Sequence, residues 1–199
     1  MPSERVGILA VQGAFAEHEH MLSELGARCV ELRQASDLGK GFDQLVLPGG
    51  ESTAQGRMLR ELDMLGPLRS MVEAGMPTLG TCAGLILMAK RIDDVNGDGS
   101  IVDSQHNSTW LETLPVTVRR NAYGRQLGSF HANADLKGLG AIPMTFIRAP
   151  LVVRAQEDCE VLARIDGNIV AVRWQSQIGL SFHPELDDDP RVHQLFLSL

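Results

Sequence analysis

Surplus basic charge, paired cysteines and long apolar runs are all scarce in this sequence, and each scarcity closes off a class of protein. Lys and Arg number 18 against 25 Asp and Glu, for a formal net charge of −7. No basic face is available to follow a phosphate backbone, so general nucleic-acid binding is excluded; an acidic balance otherwise speaks mainly to solubility. The three cysteines, Cys29, Cys82 and Cys159, are widely spaced and form no Cys-x-x-Cys pair, which excludes a disulfide framework and a zinc ribbon. No apolar run approaches the roughly 20 residues of a membrane-spanning helix. Met1 to Arg5 leads directly into an apolar strand, with no charged region and cleavage site of a secretion signal, so a cytoplasmic protein is expected. What is present is 199 residues, 44% of them hydrophobic, enough for one globular domain over 1–199. There is no internal repeat and no linker.

The pattern along the chain alternates. Val6 to Val11 reads as a buried strand, because it is a short apolar run closed by Gln12-Gly13. Phe15, Met21, Leu22 and Leu25 give a helical stripe ended by Gly26. Cys29 to Leu32 and Gln44 to Leu47 read as further strands, the second running into Pro48-Gly49-Gly50-Glu51-Ser52. Ser52 or Thr53 is placed to cap a helix reaching about Asp63, and Pro67 to Ala74 gives another. A short strand at Met76 to Leu79 and a helix at Leu85 to Lys90 flank Gly80-Thr81-Cys82-Ala83-Gly84. Such alternation predicts an α/β fold: a doubly wound, mainly parallel sheet with helices on both faces. In such folds chemistry sits at the carboxyl ends of the strands, where both glycine-rich turns fall. After Lys90, residues 93–107 are polar and rich in Asp, Asn, Gly and Ser, the composition of a surface loop or insertion. Strand-like runs follow at Val116 to Val118, Thr145 to Ile147 and Val161 to Ala163. Asp166-Gly167-Asn168 makes a hairpin turn, so the second half is β-rich and partly antiparallel, closed by a helix from Arg191 to Leu199.

Small residues around Cys82, between strand and helix, are the layout of a nucleophile elbow. The glycines allow a sharp turn that pushes the side chain into solvent, and the start of the next helix favours a thiolate. The competing reading is a buried cysteine in a tight turn, which is the reading for Cys29 and Cys159. A cysteine nucleophile needs a base and a group to orient that base. In an extended segment His183 and Glu185, two apart across Pro184, point to the same side, so the carboxylate can fix the imidazole and complete a Cys-His-Glu triad. Of the other histidines, His18 and His20 do not share a helical face, His106 falls in the insertion and His193 in the last helix. His131 has no carboxylate beside it in sequence. The Gly49-Gly50 turn offers backbone N–H groups for a carboxylate or an oxyanion, or is an ordinary strand-to-helix turn; it lacks the ending of a phosphate loop. Asp94 to Gly99 opens like a calcium loop, but Gln105 stands where the bidentate glutamate is required, and a solvated loop is the expected reading.

These segments resemble the class I (triad) glutamine amidotransferases, and within them the glutaminase subunits of pyridoxal 5′-phosphate synthase. The resemblance is carried by Val11 to Ala14 with Glu17-His18, Leu47 to Thr53, Gly80 to Leu85, Arg120 to Gln126, Phe146 to Pro150 and Ser181 to Leu186. The Arg-Asn-x-x-Gly-Arg-Gln and Phe-Ile-Arg-Ala-Pro segments are the specific ones. The resemblance implies hydrolysis of L-glutamine to glutamate and ammonia, with Cys82 as nucleophile, His183 as base and then acid, and Glu185 as orienter. It places glutamine on Gly50, Glu51, Ser52, Arg120, Ile147 and Arg148. An arginine there suits the substrate carboxylate and Glu51 a polar or cationic group. The amides of Gly50 and Ala83 are the candidate oxyanion hole. It further implies a synthase (lyase) subunit as the partner that receives ammonia, with no metal, no bound cofactor and no nucleic-acid or membrane partner. The connection from Ile92 to Leu114 is longer than the family usually has, and it interrupts no motif. Two other readings of the same residues are a glutaminase of another biosynthetic pathway and a thiol sensor or quality-control protein on the same framework.

Overall fold

The computed structural model describes residues 4–93, 95, 101, 108–122 and 129–199. The calcium-loop-like stretch, His106 and the Tyr123 to Gln126 end of the arginine motif therefore lie wholly or largely outside the described residues. In chain order the elements are β1 (Arg5–Leu9), α1 (Phe15–Glu24), β2 (Arg28–Leu32), β3 (Gln44–Leu47), α2 (Ser52–Glu61), α3 (Leu65–Glu73), β4 (Thr78–Thr81), α4 (Ala83–Met88) and β5 (Ala89–Ile92). They continue with β6 (Leu114–Arg119), β7 (Ser129–Leu136), β8 (Gly140–Ile147), β9 (Leu151–Ala155), β10 (Glu160–Ile165), β11 (Asn168–Trp174), β12 (Gln177–Leu180) and α5 (Arg191–Leu197).

The main sheet runs β2-β1-β3-β4-β12-β11-β9-β6-β5, with β10 beside β11, and β7 and β8 form a separate hairpin. From β2 to β12 every pairing is parallel. Beyond β12 the sheet turns antiparallel through β11, β9 and β6, and ends in a parallel β5–β6 pair. The expected α/β architecture, mainly parallel with a partly antiparallel second half, is what forms.

Strand side chains alternate between two cores, as a sheet covered on both faces requires. On β3, Leu45 and Leu47 pack with Leu59 of α2, Leu68 and Val72 of α3 and Leu85 to Met88 of α4. Val46 points the other way, with Val6, Ile8 and Leu79, onto Leu22 of α1, Val192 and Phe196 of α5 and the inner face of the β7–β8 hairpin. Both layers are built of buried apolar side chains, and together they support the edge from which the glycine turns project.

Three local readings change. The cap of α2 is Glu51, whose carboxylate accepts from the amides of Thr53 and Ala54 at 2.9 and 2.6 Å; the longer side chain reaches amides that Ser52 and Thr53, already inside the helix, do not. The helix after the elbow stops at Met88, and Ala89 and Lys90 belong to β5, since the buried pairing with β6 outweighs helix propensity over so short a run. Glu185 stands in a single 3₁₀ turn over Pro184–Leu186 and not in an extended segment, as proline at the first position of a turn favours.

Candidate active site

The nucleophile elbow owes its shape to Cys82 more than to its glycines. Cys82 itself takes φ 48° and ψ −99°, a conformation that costs a non-glycine residue about 1–3 kcal/mol. Gly80 and Gly84 are required for closeness instead. A Cβ on Gly84 would stand 1.9 Å from the Leu47 carbonyl oxygen, and one on Gly80 2.4 Å from Met88 Sδ. The strained turn is anchored by the Cys82 amide, which donates to Leu180 O at 2.8 Å. Cys82 is only 7% exposed, because the close packing of α4 against β3 seats it at the floor of a cavity; the solvent-facing thiol expected from the turn is not what forms.

β12 supplies the partner. It lies parallel to β4 with Leu180 opposite Thr81, so the chain leaves both strands at the same edge, and His183 arrives beside Cys82. The His183 amide donates to Thr145 O of β8 at 2.8 Å. Its Nδ1 is 2.7 Å from Glu185 Oε1, both side chains being almost fully buried. Burial alone would push His183 down, but the Cys82 thiol and the Glu185 carboxylate outweigh it and carry the imidazole up to about 10. Nε2 is buried and short of a formed hydrogen bond. Cys82 Sγ, 3.8 Å from Ile147 O, is close enough to act on its charge. Burial resists ionisation of Glu185, yet His18 and His183 on either side hold its carboxyl below the ordinary range.

The cavity above Cys82 and His183 measures about 770 Å³. Gly50, Glu51 and Ser52 form one wall, and Arg120, Ile147 and Arg148 the other. Glu185 sits behind His183, outside the lining. Ala83 is the first residue of α4, so its N–H has no intrahelical acceptor. The Glu51 carboxylate is already engaged: besides capping α2 it accepts from Arg120 Nη2 at 3.1 Å, while Arg120 Nη1 donates to Thr53 Oγ1 at 3.2 Å. Partial burial raises Glu51, and these donors together bring it below its ordinary value.

Several residues at the site carry no role that the sequence alone assigns. Gln12 and Gly13 line the cavity, and Gln12 Oε1 accepts from the Glu51 amide at 2.9 Å. A Cβ on Gly49 would stand 2.3 Å from His183 Cε1. His131 Nδ1 lies 2.8 Å from Thr145 Oγ1, whose hydroxyl donates to Asp187 at 2.8 Å. His18 and His193 are fully buried and 2.9 Å apart behind Glu185. Position beside Gly13 was the available signal for Gln12; His18 belongs to a segment that carries the resemblance, but with no role attached, and nothing local marks His131 or His193. Burial, then His18, lowers His193 to about 3. An imidazole that titrates near 6.5 in the unfolded chain and near 3 in the folded one takes its proton first in the unfolded state. Its contribution to stability is complete above about 6.5 and is lost as pH falls toward 3. By pH 5 the loss is about 2 kcal/mol. Thermal denaturation at pH 7 and pH 5 is expected to show a larger fall in Tm for the wild type than for His193→Gln.

Fold and site together define the class, that of the glutamine amidotransferases. A crystal structure of a glutamine amidotransferase, 42% identical, superposes with a TM-score of 0.86 over 97% of both chains. A chain of PurLQS from Thermotoga maritima, at 15% identity and TM-score 0.68 over 98% of both chains, shares the fold alone. The model of the SNO glutamine amidotransferase family matches residues 8–199, and the chain belongs to that family. Among its relatives, the pyridoxal 5′-phosphate synthase subunit PdxT of Desulfitobacterium hafniense (strain DSM 10664 / DCB-2) is 54% identical over 193 residues, 97% of this chain and 92% of the relative. The protein of that name from Streptococcus pneumoniae (strain CGSP14) is 47% identical over 198 residues, 98% and 96% of the two chains.

Proposed function

We propose that the chain, as one glutaminase domain over 1–199, hydrolyses L-glutamine and delivers ammonia to the synthase (lyase) subunit of a pyridoxal 5′-phosphate synthase. The observation that carries this is the line Cys82, His183, Glu185 beneath a cavity whose walls are Gly50 to Ser52 and Arg120, Ile147 and Arg148. With His183 already holding the proton on Nε2, Cys82 Sγ attacks the side-chain amide carbon, and the new oxyanion meets the amides of Gly50 and Ala83. The C–N bond breaks as His183 gives the proton to the departing ammonia, leaving a thioester. Water then adds, its proton going to His183. The C–S bond breaks, His183 keeps the proton beside Cys82 and glutamate leaves. Glu185 holds the imidazole in the tautomer with Nδ1–H throughout.

Arg120 pairs with the α-carboxylate of glutamine, exchanging part of its bond to Glu51, which is then free to meet the α-ammonium. Arg120→Ala is expected to raise KM for glutamine at least about 10-fold with a smaller change in kcat, as loss of a charged anchor does. Steady-state glutamine hydrolysis checks it. Among the described residues no helix is long and apolar enough to cross a membrane, and with the acidic balance of the chain this favours a cytoplasmic enzyme whose partners are glutamine and a protein, not nucleic acid or lipid.

The test is labelling of Cys82 by a glutamine-like electrophile, together with ammonia release in the presence of the synthase subunit. Labelling blocked by glutamine and stimulated by that subunit is the expected result. Labelling indifferent to glutamine returns the protein to a thiol sensor, and stimulation by a different synthase places it in another pathway.

A further inference from the structure

Glu185 is a carboxylate with two oxygens, and the triad uses one. Oε1 accepts from His183 Nδ1. Oε2 is buried and receives no hydrogen bond of good geometry; His18 Nε2, 3.3 Å away, is the side-chain donor that faces it. That same Nε2 is 3.2 Å from Thr81 Oγ1, the residue before the nucleophile, and His18 Nδ1 is 2.9 Å from His193 Nε2. His193 Nδ1 is buried with no partner among the described residues. A chain of polar groups therefore runs from α5 through α1 to the triad.

The proton positions follow from elimination. Burial holds both imidazoles neutral, so each carries one N–H. If His18 carried it on Nδ1, the bare Nε2 lone pair would face an ionised carboxylate, and His193 would bury an unmatched Nδ1–H. With the proton of His18 on Nε2, the N–H lies between Thr81 Oγ1 and Glu185 Oε2. His193 then donates from Nε2 to His18 Nδ1, and only a lone pair on His193 is left without a partner. An orphaned acceptor is tolerated better than an orphaned donor, and the second arrangement also gives the carboxylate what it lacks.

Resting on the triad reading above, we propose that His18 is a positioning residue for glutamine hydrolysis: its Nε2–H holds the second oxygen of Glu185, and His193 fixes the tautomer in which it can do so. The carboxylate is then gripped at both oxygens and cannot rotate away from His183 when the imidazole gains or gives its proton. His18 touches neither substrate nor thiol, so its effect falls on turnover and not on glutamine binding.

Glutamine hydrolysis by the full chain with the synthase subunit present tests this. His18→Leu removes the donor and is expected to lower kcat by about 10- to 100-fold, the range that outer-shell partners command at other sites, with KM within about 2-fold. His18→Gln, whose amide reaches the place of Nε2–H, is expected to restore most of kcat. His193→Leu leaves His18 in place but frees its tautomer, and gives an intermediate kcat with unchanged KM; it serves as well if His18→Leu does not fold. The Nδ1–H proton resonance of His183 is expected to lose its downfield position in His18→Leu and recover it in His18→Gln. A folded His18→Leu with wild-type kcat, or a folded His18→Gln as slow as His18→Leu, overturns the positioning role while leaving the triad intact. Hydrolysis that survives Cys82→Ala overturns both.

Discussion

Cys82→Ala is expected to abolish glutamine hydrolysis, lowering kcat by about 10⁴-fold or more while the protein folds and binds glutamine. The magnitude follows from covalent chemistry: without the sulfur there is no thioester, and water would have to attack an unactivated amide unaided by a nucleophile. Folding should even gain slightly. The backbone strain at φ 48° remains, but alanine is no worse there than cysteine, and the thiol contributes only a weak 3.8 Å contact to Ile147 O. Ammonia release with the synthase subunit present, and isothermal titration with glutamine, separate the two effects. A variant that binds glutamine and releases no ammonia is the expected outcome; undiminished release would sink the covalent mechanism.

The second large effect comes from a residue with no side chain. Gly49→Ala places a Cβ 2.3 Å from His183 Cε1 and 2.8 Å from Nδ1, well inside van der Waals contact. The backbone of Gly49 is fixed by Ala14, whose amide donates to its carbonyl at 3.0 Å, so the imidazole is the group that moves. A shift of about 1 Å breaks the alignment with Glu185 or with Cys82, and misplacement on that scale costs about 10²-fold. Gly39→Ala is the control, since a Cβ there meets nothing within 4 Å. The expected result is a drop of about 100-fold in kcat for Gly49→Ala at nearly unchanged Tm, read by hydrolysis and thermal denaturation. A large fall in Tm instead would assign Gly49 to packing.

Strands buried on both sides announce themselves in sequence: Gln44 to Leu47 reads as a strand and forms one over those residues. The separation of Cys82 from the other cysteines was legible for the same reason, since glycine punctuation is local. The partners of Glu51 were not. A carboxylate beside a glycine turn looks available to a substrate, and only the folded chain shows it capping α2 and holding Arg120; the second contact depends on where the end of β6 delivers that arginine. The pairing of His183 with Glu185 came out as expected by a different route, through a 3₁₀ turn, since proline permits two local shapes that bring those side chains together. The contact between His18 and His193 was beyond reach. One lies in the first helix and the other in the last, and no spacing rule connects them.

The pairing of β4 with β12 has a consequence for how the protein comes to life. The nucleophile and its base stand about a hundred residues apart in the chain and are joined only when two strands align side by side, Leu180 opposite Thr81. Closing so long a loop is among the later events available to a folding chain. A nascent polypeptide emerging from synthesis thus carries Cys82 for half its length with no base to activate it. The thiol becomes a reagent when the sheet is complete, and hydrolysis of glutamine is in that sense a proof that the last strand has found its place.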